Sequence, residues 1–251
     1  MTSDSPKTWP RLLPAGDEAV VVEFGDAIDV SINERVYEFA ETVQHAALNG
    51  VRELVPTYRS LLVQYDLEVV GYDDLVAELG RLASAGADHG TLPGRSAEVF
   101  ELPVGYGGEN GPDLETVAQH AGMSPDDVVS IHSSVAYRVF MLGFAPGFPY
   151  LGGMDARIAC PRLKTPRTRV PAGSVGIAES QTGVYPNDSP GGWQIIGRTP
   201  VPLFDPGADP PVVIQPGSHV RFVSVSGGEL AEIETQVAQG NYQVVVRERE
   251  A

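Results

Sequence analysis

Leu142-Gly143-Phe144-Ala145-Pro146-Gly147-Phe148-Pro149-Tyr150-Leu151-Gly152-Gly153 decides how this chain must fold. Glycines and prolines interrupt it repeatedly, yet aromatic and aliphatic side chains fill the gaps. Each proline removes a backbone donor and each glycine lowers helix propensity, so no helix of ordinary length fits. The texture continues through Pro161-Arg162, Pro166-Arg167, Val170-Pro171-Ala172-Gly173-Ser174-Val175-Gly176 and Gln181-Thr182-Gly183-Val184-Tyr185-Pro186. It ends with Ser189-Pro190-Gly191-Gly192-Trp193-Gln194-Ile195-Ile196-Gly197-Arg198-Thr199-Pro200. Such a chain folds with short strands and specified turns, and turns of this kind commonly hold polar side chains around a pocket.

On the C-terminal side, further short strands are expected at Val212–Ile214, His219–Val225 and Tyr242–Arg247, besides those around Ser174–Ala178 and Trp193–Gly197. Many short strands with frequent turns predict a β-barrel or sandwich. On the N-terminal side, Val135–Met141 alternates as a strand should. Before it, Pro112–Ala121 reads as a helix. Ser124-Pro125-Asp126-Asp127 opens another, running to about His132, with a serine cap, proline at the first helical position and acids near the positive dipole end.

Ahead of Gly105 the pattern is different. Ala19–Phe24 is a short apolar run, read as a buried strand. Ser31 and Glu34 offer a capping box, Ile32, Val36, Phe39, Ala40 and Val43 follow at helical spacing, and Asn49-Gly50 stops the helix. Val51–Val55 and Ser60–Tyr65 read as strands, Asp73–Ala85 as a helix burying Leu75, Leu79 and Leu82, and Ala97–Val104 as a further strand. The order strand, helix, strand, strand, helix, strand predicts an α+β, ferredoxin-like unit. The small, polar stretch Gly86–Arg95 reads as a linker or a surface loop, giving domains 1–92 and 93–251.

A length of 251 residues suits one large or two modest domains, and 42% apolar residues permit a substantial core. The net charge of −16 argues against nonspecific binding to nucleic acid or anionic membrane, both of which need a basic surface. One cysteine, Cys160, excludes an intrachain disulfide and fits a reducing compartment. Met1–Pro10 lacks an apolar signal core, and no run approaches the roughly 20 apolar residues of a membrane span. A cytoplasmic, soluble protein is expected.

Charge supplies the first candidate site. From Ala156 to Ala178 there is no acid, while Arg157, Arg162, Lys164, Arg167 and Arg169 fall in that window. Guanidinium groups suit carboxylates and phosphates, so a pocket for an anionic substrate is one reading. The other is that these cations pair with acids elsewhere. His132 stands at a helix end ahead of the glycine- and proline-rich turns, where it serves as a general base or as a cap and packing residue. Gln181, Tyr185, Ser189, Gln194 and Arg198 sit among turns, and either line a pocket mouth or satisfy turn backbone. Core packing is expected for Trp193 and Phe144, whereas the turn bearing Phe148 and Tyr150 is a candidate for exposure. There is no phosphate-binding Gly-x-x-x-x-Gly-Lys loop, dinucleotide fingerprint, paired-histidine metal motif or nucleophile elbow, and no metal site is expected.

The segments Leu142–Leu151, Val170–Gly176 and Ser189–Pro200 resemble the signature of the allophanate hydrolase subunit 1 family, which includes the 5-oxoprolinase B subunits and KipI-type proteins. Arg11-Leu12-Leu13-Pro14-Ala15-Gly16-Asp17 resembles the family's opening, and Leu102-Pro103-Val104-Gly105-Tyr106 its domain junction. The resemblance implies an N-terminal α+β domain and a C-terminal cyclophilin-like β-barrel. It implies a partner protein of the allophanate hydrolase subunit 2 type, the oxoprolinase C subunit, with an A subunit joining them in the prokaryotic oxoprolinase. It implies ATP, with Mg2+, at the level of the complex, and conversion of 5-oxo-L-proline, ATP and water to L-glutamate, ADP and phosphate. Under it, His132, Arg167 and Arg169 are catalytic candidates. Arg162, Lys164, Gln181, Tyr185, Ser189, Gln194 and Arg198 are substrate-binding candidates. Two other readings remain open: a KipI-like inhibitor of a sensor histidine kinase, and a component of a urea carboxylase or allophanate hydrolase system.

Overall fold

A computed structural model describes residues 8–85 and 98–248. The chain divides into two compact units, Met1–Gly94 and Arg95–Ala251. The expected linker, 86–95, lies outside the described residues.

In the first unit, strands β1 (Arg11–Pro14), β2 (Ala19–Glu23), β3 (Val51–Pro56) and β4 (Ser60–Tyr65) form an antiparallel sheet in the order β1-β2-β4-β3. Helices α1 (Val30–Ala46) and α2 (Tyr72–Ala85) cover it. Leu61, Val63 and Tyr65 alternate along β4 and are buried with Val36, Phe39 and Val43 of α1 and Leu75, Leu79 and Leu82 of α2. Those spacings, two on the strand and three or four on the helices, put one face of each element in a shared core. Helix α1 begins earlier than its capping pattern suggests. Asp29, not Ser31, caps it, accepting the Ser31 amide at 2.8 Å and the Ile32 amide at 3.2 Å.

The α+β character holds, but the sheet is not assembled from the expected strands. The segment expected at Ala97–Val104 forms β5 (Glu98–Tyr106) in the second unit, and β1 stands beside β2 instead. The reason is burial. Leu102 through Gly105 are buried consecutively, so this strand needs cover on both faces, which a closed barrel wall provides.

In the second unit, β5, β6 (Ala136–Leu142), β7 (Pro149–Gly152), β8 (Arg167–Val170), β9 (Ser174–Ala178), β10 (Gln181–Val184), β11 (Ser189–Gly191), β12 (Gln194–Arg198), β13 (His219–Ser224) and β14 (Val245–Glu248) are joined by helices α3 (Leu114–Ala121), α4 (Pro125–Ser133) and α5 (Gly227–Ala238). Seven strands close a barrel in the order β12-β9-β10-β7-β6-β13-β5, sealed by Gly197 opposite Tyr106 and Arg198 opposite Gly105. Strand β14 adds to β5 outside that ring, and β8 with β11 forms a separate two-stranded ribbon. Leu102, Val139, Leu151, Ile177, Val184, Ile196 and Phe222 fill the interior, joined by Val117 of α3 and Val128 of α4. The strand expected at Val212–Ile214 is a single bridge, Phe204 to Val212. Among the described residues no helix is long and apolar enough to cross a membrane.

Candidate functional site

Successive residues of β10 face opposite sides of the barrel wall. Val184 joins the interior, while Gly183 lies beneath a second cluster formed by Phe148, Val170, Ala178, Tyr185, Trp193 and Ile195. A Cβ at Gly183 would lie 3.2 Å from the Phe148 and Trp193 rings, so the missing side chain is what lets them press onto the wall. The rings meet edge to face. Phe148 is 5.5 Å from Tyr185 and 5.6 Å from Trp193, with interplanar angles of 84° and 90°. This arrangement matches ring quadrupoles and adds about 0.5–1.5 kcal/mol per pair beyond area burial. Over it opens a hollow of about 200 Å³, walled also by Phe144 and Tyr150 and rimmed by Arg162, Pro166 and Pro190.

Arg162 is the cation at this hollow, and neither it nor Lys164 has an ion pair or hydrogen bond among the described residues. Burial raises the Tyr185 hydroxyl above the usual phenol range, opposed by a hydrogen bond with the Trp193 backbone and by the fields of Arg162 and Arg167. The hollow therefore carries one uncompensated cation in a chain with a net charge of −16.

The rest of the expected cationic cluster is dispersed and neutralised. Arg157 pairs with Asp155 at 2.6 Å, and that contact holds the Asp155 carboxyl below its ordinary range. Arg169 pairs with Asp188 at 2.6 Å, with 75% of its side chain exposed. Arg198 donates to the Ala172 carbonyl beside the same aspartate, whose other oxygen accepts the Ala172 amide. Neither Arg169 nor Arg198 lines the hollow.

Arg167 points behind it. Its guanidinium donates to Asp113 Oδ1 at 2.7 Å and to the Trp193 carbonyl at 3.3 Å. Asp113 Oδ2 accepts the Ile195 amide at 2.6 Å, and the Asp113 amide donates to the Ile195 carbonyl at 2.9 Å. This bridge ties the start of α3 and strand β8 to the backbone at Trp193 and Ile195. Arg167 thus braces a wall of the hollow and is not among the residues that line it.

Of the two readings of His132, general base or cap and packing residue, the structure places it in the barrel interior. It is fully buried and stacks on Phe222 at 4.7 Å. The Thr182 hydroxyl donates its one proton to the Gly176 carbonyl at 3.0 Å, so it accepts from His132 Nε2 at 2.8 Å. Nδ1 then accepts the Tyr106 hydroxyl at 2.7 Å. Burial lowers the imidazole to about 3, which keeps it neutral. Sealed, uncharged and doubly bonded, it has no open nitrogen for substrate.

Gln181 starts β10 opposite Ala178, away from the hollow's lining. Gln194 is buried and its amide donates to the Pro161 carbonyl at 2.9 Å, fixing the residue before Arg162. Its Oε1, like the Ser189 hydroxyl at the head of β11, is buried without a hydrogen-bond partner. Of the residues expected at the site, Arg162 and Tyr185 line the hollow. Arg167, Ser189 and Gln194 flank it through neighbours. Lys164 is exposed two residues beyond Arg162.

A family model described as "Carboxyltransferase domain, subdomain C and D" matches residues 10–214. The chain belongs to that family. It is similar to the 5-oxoprolinase B subunit of Bacillus subtilis, at 44% identity over 84% of this chain and 91% of that one. It is also similar to the 5-oxoprolinase B subunit of Escherichia coli O157:H7, at 41% over 85% and 95%. The Kluyveromyces lactis urea carboxylase shares the fold, with a TM-score of 0.78, 23% identity, and coverage of 97% of this chain and 24% of that one.

Sequence reasoning missed Asp113 and inverted Phe144 and Phe148, while Trp193 is buried as expected. Asp113 looks like an ordinary acid at a helix start, yet it is buried and holds Arg167. Phe144, expected in the core, is 65% exposed, while Phe148 is buried. Among the described residues no group of three metal-ligating side chains forms.

Proposed function

We propose that the chain is the B subunit of an ATP-dependent 5-oxoprolinase, working with a partner of the allophanate hydrolase subunit 2 type (the C subunit) and with an A subunit, and that its barrel is of the cyclophilin-like kind. The observation that carries this is the aromatic hollow with one unpaired guanidinium at its rim. 5-Oxoproline is a flat five-membered lactam bearing one carboxylate. The rings suit its faces and Arg162 suits its carboxylate.

A hollow of about 200 Å³ is smaller than the roughly 300–1,000 Å³ of sites enclosing drug-sized ligands, so it suits this lactam and not a nucleotide. ATP and Mg2+ are assigned elsewhere in the complex, where ATP supplies the phosphoryl group that activates the lactam carbonyl for water. This chain's residues bind and orient. Arg162 holds the carboxylate, the aromatic walls hold the ring and exclude bulk water, and the Asp113–Arg167 bridge keeps Trp193 in place. Fixing the reacting carbonyl in this way converts part of the barrier into binding.

The test is 5-oxoproline-dependent ATP hydrolysis by the purified chain alone and after reconstitution with homologues of the two other subunits. Turnover by the full set and none by the lone chain is expected. Turnover by the lone chain contradicts the shared site, and none by the full set contradicts the substrate.

A further inference from the structure

The turn at the lip of the hollow contains a conformation that its packing does not require. Phe144 has φ of +63°, in the left-handed region. The Ala145 amide donates to the Gly143 carbonyl at 2.7 Å, closing a γ-turn around it. With positive φ at its centre this is the rare, strained form of that turn, and a bulky side chain makes it more costly.

Among the described residues, Ala47, Phe144 and Glu179 are the non-glycines at positive φ. Ala47 is the left-handed cap of α1, and Glu179 stands in the two-residue turn between β9 and β10. Phe144 alone carries a large apolar side chain, and it buries little of it. Nearby, Gly147 has φ of +79° and a Cβ there would lie 2.8 Å from Phe204 Cβ, so packing accounts for that glycine. At 144 the chain keeps phenylalanine where glycine would relieve the backbone.

The turn is also held rigid. The Gly143 amide donates to the Phe148 carbonyl at 3.1 Å, and the Phe148 amide to the Ala145 carbonyl at 3.0 Å. The exposed ring stands edge-on to Phe148 at 5.4 Å and to Tyr185 at 6.5 Å, two of the three rings beneath the hollow. Strain maintained by surrounding bonds at a ligand-sized hollow is the pattern of a functional clamp.

We infer that Phe144 is a substrate-binding and specificity-determining residue, an outer aromatic wall preset to cover the flat lactam once its carboxylate meets Arg162. This inference rests on the 5-oxoprolinase reading. It assigns the ring to the small-molecule ligand, not to a partner protein.

The experiment compares wild type, Phe144→Gly and Phe144→Tyr in the reconstituted complex, with urea unfolding of each lone chain and co-elution with the partner of the subunit 2 type. Phe144→Gly is expected to raise KM for 5-oxoproline by about tenfold or more, with kcat within about threefold. Its urea midpoint should be equal to or above wild type. Phe144→Tyr, which keeps the ring, should restore KM to within about threefold. An unchanged KM in Phe144→Gly overturns the inference while leaving the function intact. A lowered urea midpoint overturns it in favour of a packing role, and lost co-elution in favour of a partner contact. A wild-type complex without turnover overturns the functional reading and this inference together.

Discussion

On the inner side of β10, the Thr182 hydroxyl, both His132 nitrogens and the Tyr106 hydroxyl form one chain of hydrogen bonds ending on the Gly176 carbonyl. On the outer side of the same strand, Gly183 supports a ring cluster whose rim carries an unpaired Arg162 and a Phe144 at positive φ. The inner polar groups of this hydrogen-bonded chain are satisfied and sealed, while at the outer hollow Arg162 is unpaired and the Phe144 backbone is strained. An unpaired charge or a costly backbone angle does not stabilise the fold, so it points to where the molecule meets something else.

Substitutions separate the two sides. His132→Ala should have the largest effect, removing a stacked ring and leaving the Tyr106 hydroxyl without its acceptor. Urea unfolding should give a loss of roughly 3–5 kcal/mol, with turnover per folded complex little changed. Arg167→Ala should cost about 2–3 kcal/mol by leaving the Asp113 carboxylate without its cation, less than for a sealed pair because the Arg167 side chain is 31% exposed. A loss below about 0.5 kcal/mol there would return Arg167 to the ligand side of the comparison.

Arg162→Ala sharpens the contrast from outside. Its stability should stay within about 0.5 kcal/mol of wild type. KM for 5-oxoproline in the complex should rise roughly 10- to 100-fold, equivalent to about 1.4–2.7 kcal/mol. A smaller effect is expected from pH. With its folded value near 3 and its ordinary value at 6.5, His132 is protonated in the unfolded chain before the folded one as pH falls. Its neutral form therefore contributes fully above the ordinary value, and that contribution is lost as pH drops towards the folded one. Unfolding at pH 7.5 and 5.5 should show about 1.4 kcal/mol more loss in wild type than in His132→Gln. Equal losses would mean the imidazole is solvated in the folded state.

Much of the fold was legible because its signals are local. The Ser124 cap with Pro125, and the alternation of Val135–Met141 that buries Tyr137 and Val139, need only neighbours to be read. The place of β5 was not, because a strand's partners are set by burial across the chain and not by its own pattern. Helix α5 went unread behind Gly227-Gly228, although Ser226 and Glu229 form a capping box. At the site, the charge reversal was real in sequence, but the acids that answer it all lie outside the window. Asp155 stands just before it, whereas Asp113 and Asp188 reach Arg167 and Arg169 from distant segments. Pairing across such separations leaves no local trace. Aromatic residues between glycines were legible as a turn cluster, but which ring faces solvent depends on the γ-turn at Phe144.

If substrate sits in the outer hollow, Trp193 is a reporter inside it. The chain has two tryptophans, so Trp9→Phe leaves Trp193 alone. That chain, labelled with 5-fluorotryptophan and assembled with unlabelled partner proteins, should show one ¹⁹F resonance from Trp193. It should shift on addition of 5-oxoproline, saturating near the KM of the complex, and stay in place when Arg162→Ala is present at the same ligand concentration. A resonance that does not move while the complex turns over 5-oxoproline would place the substrate elsewhere and contradict the account.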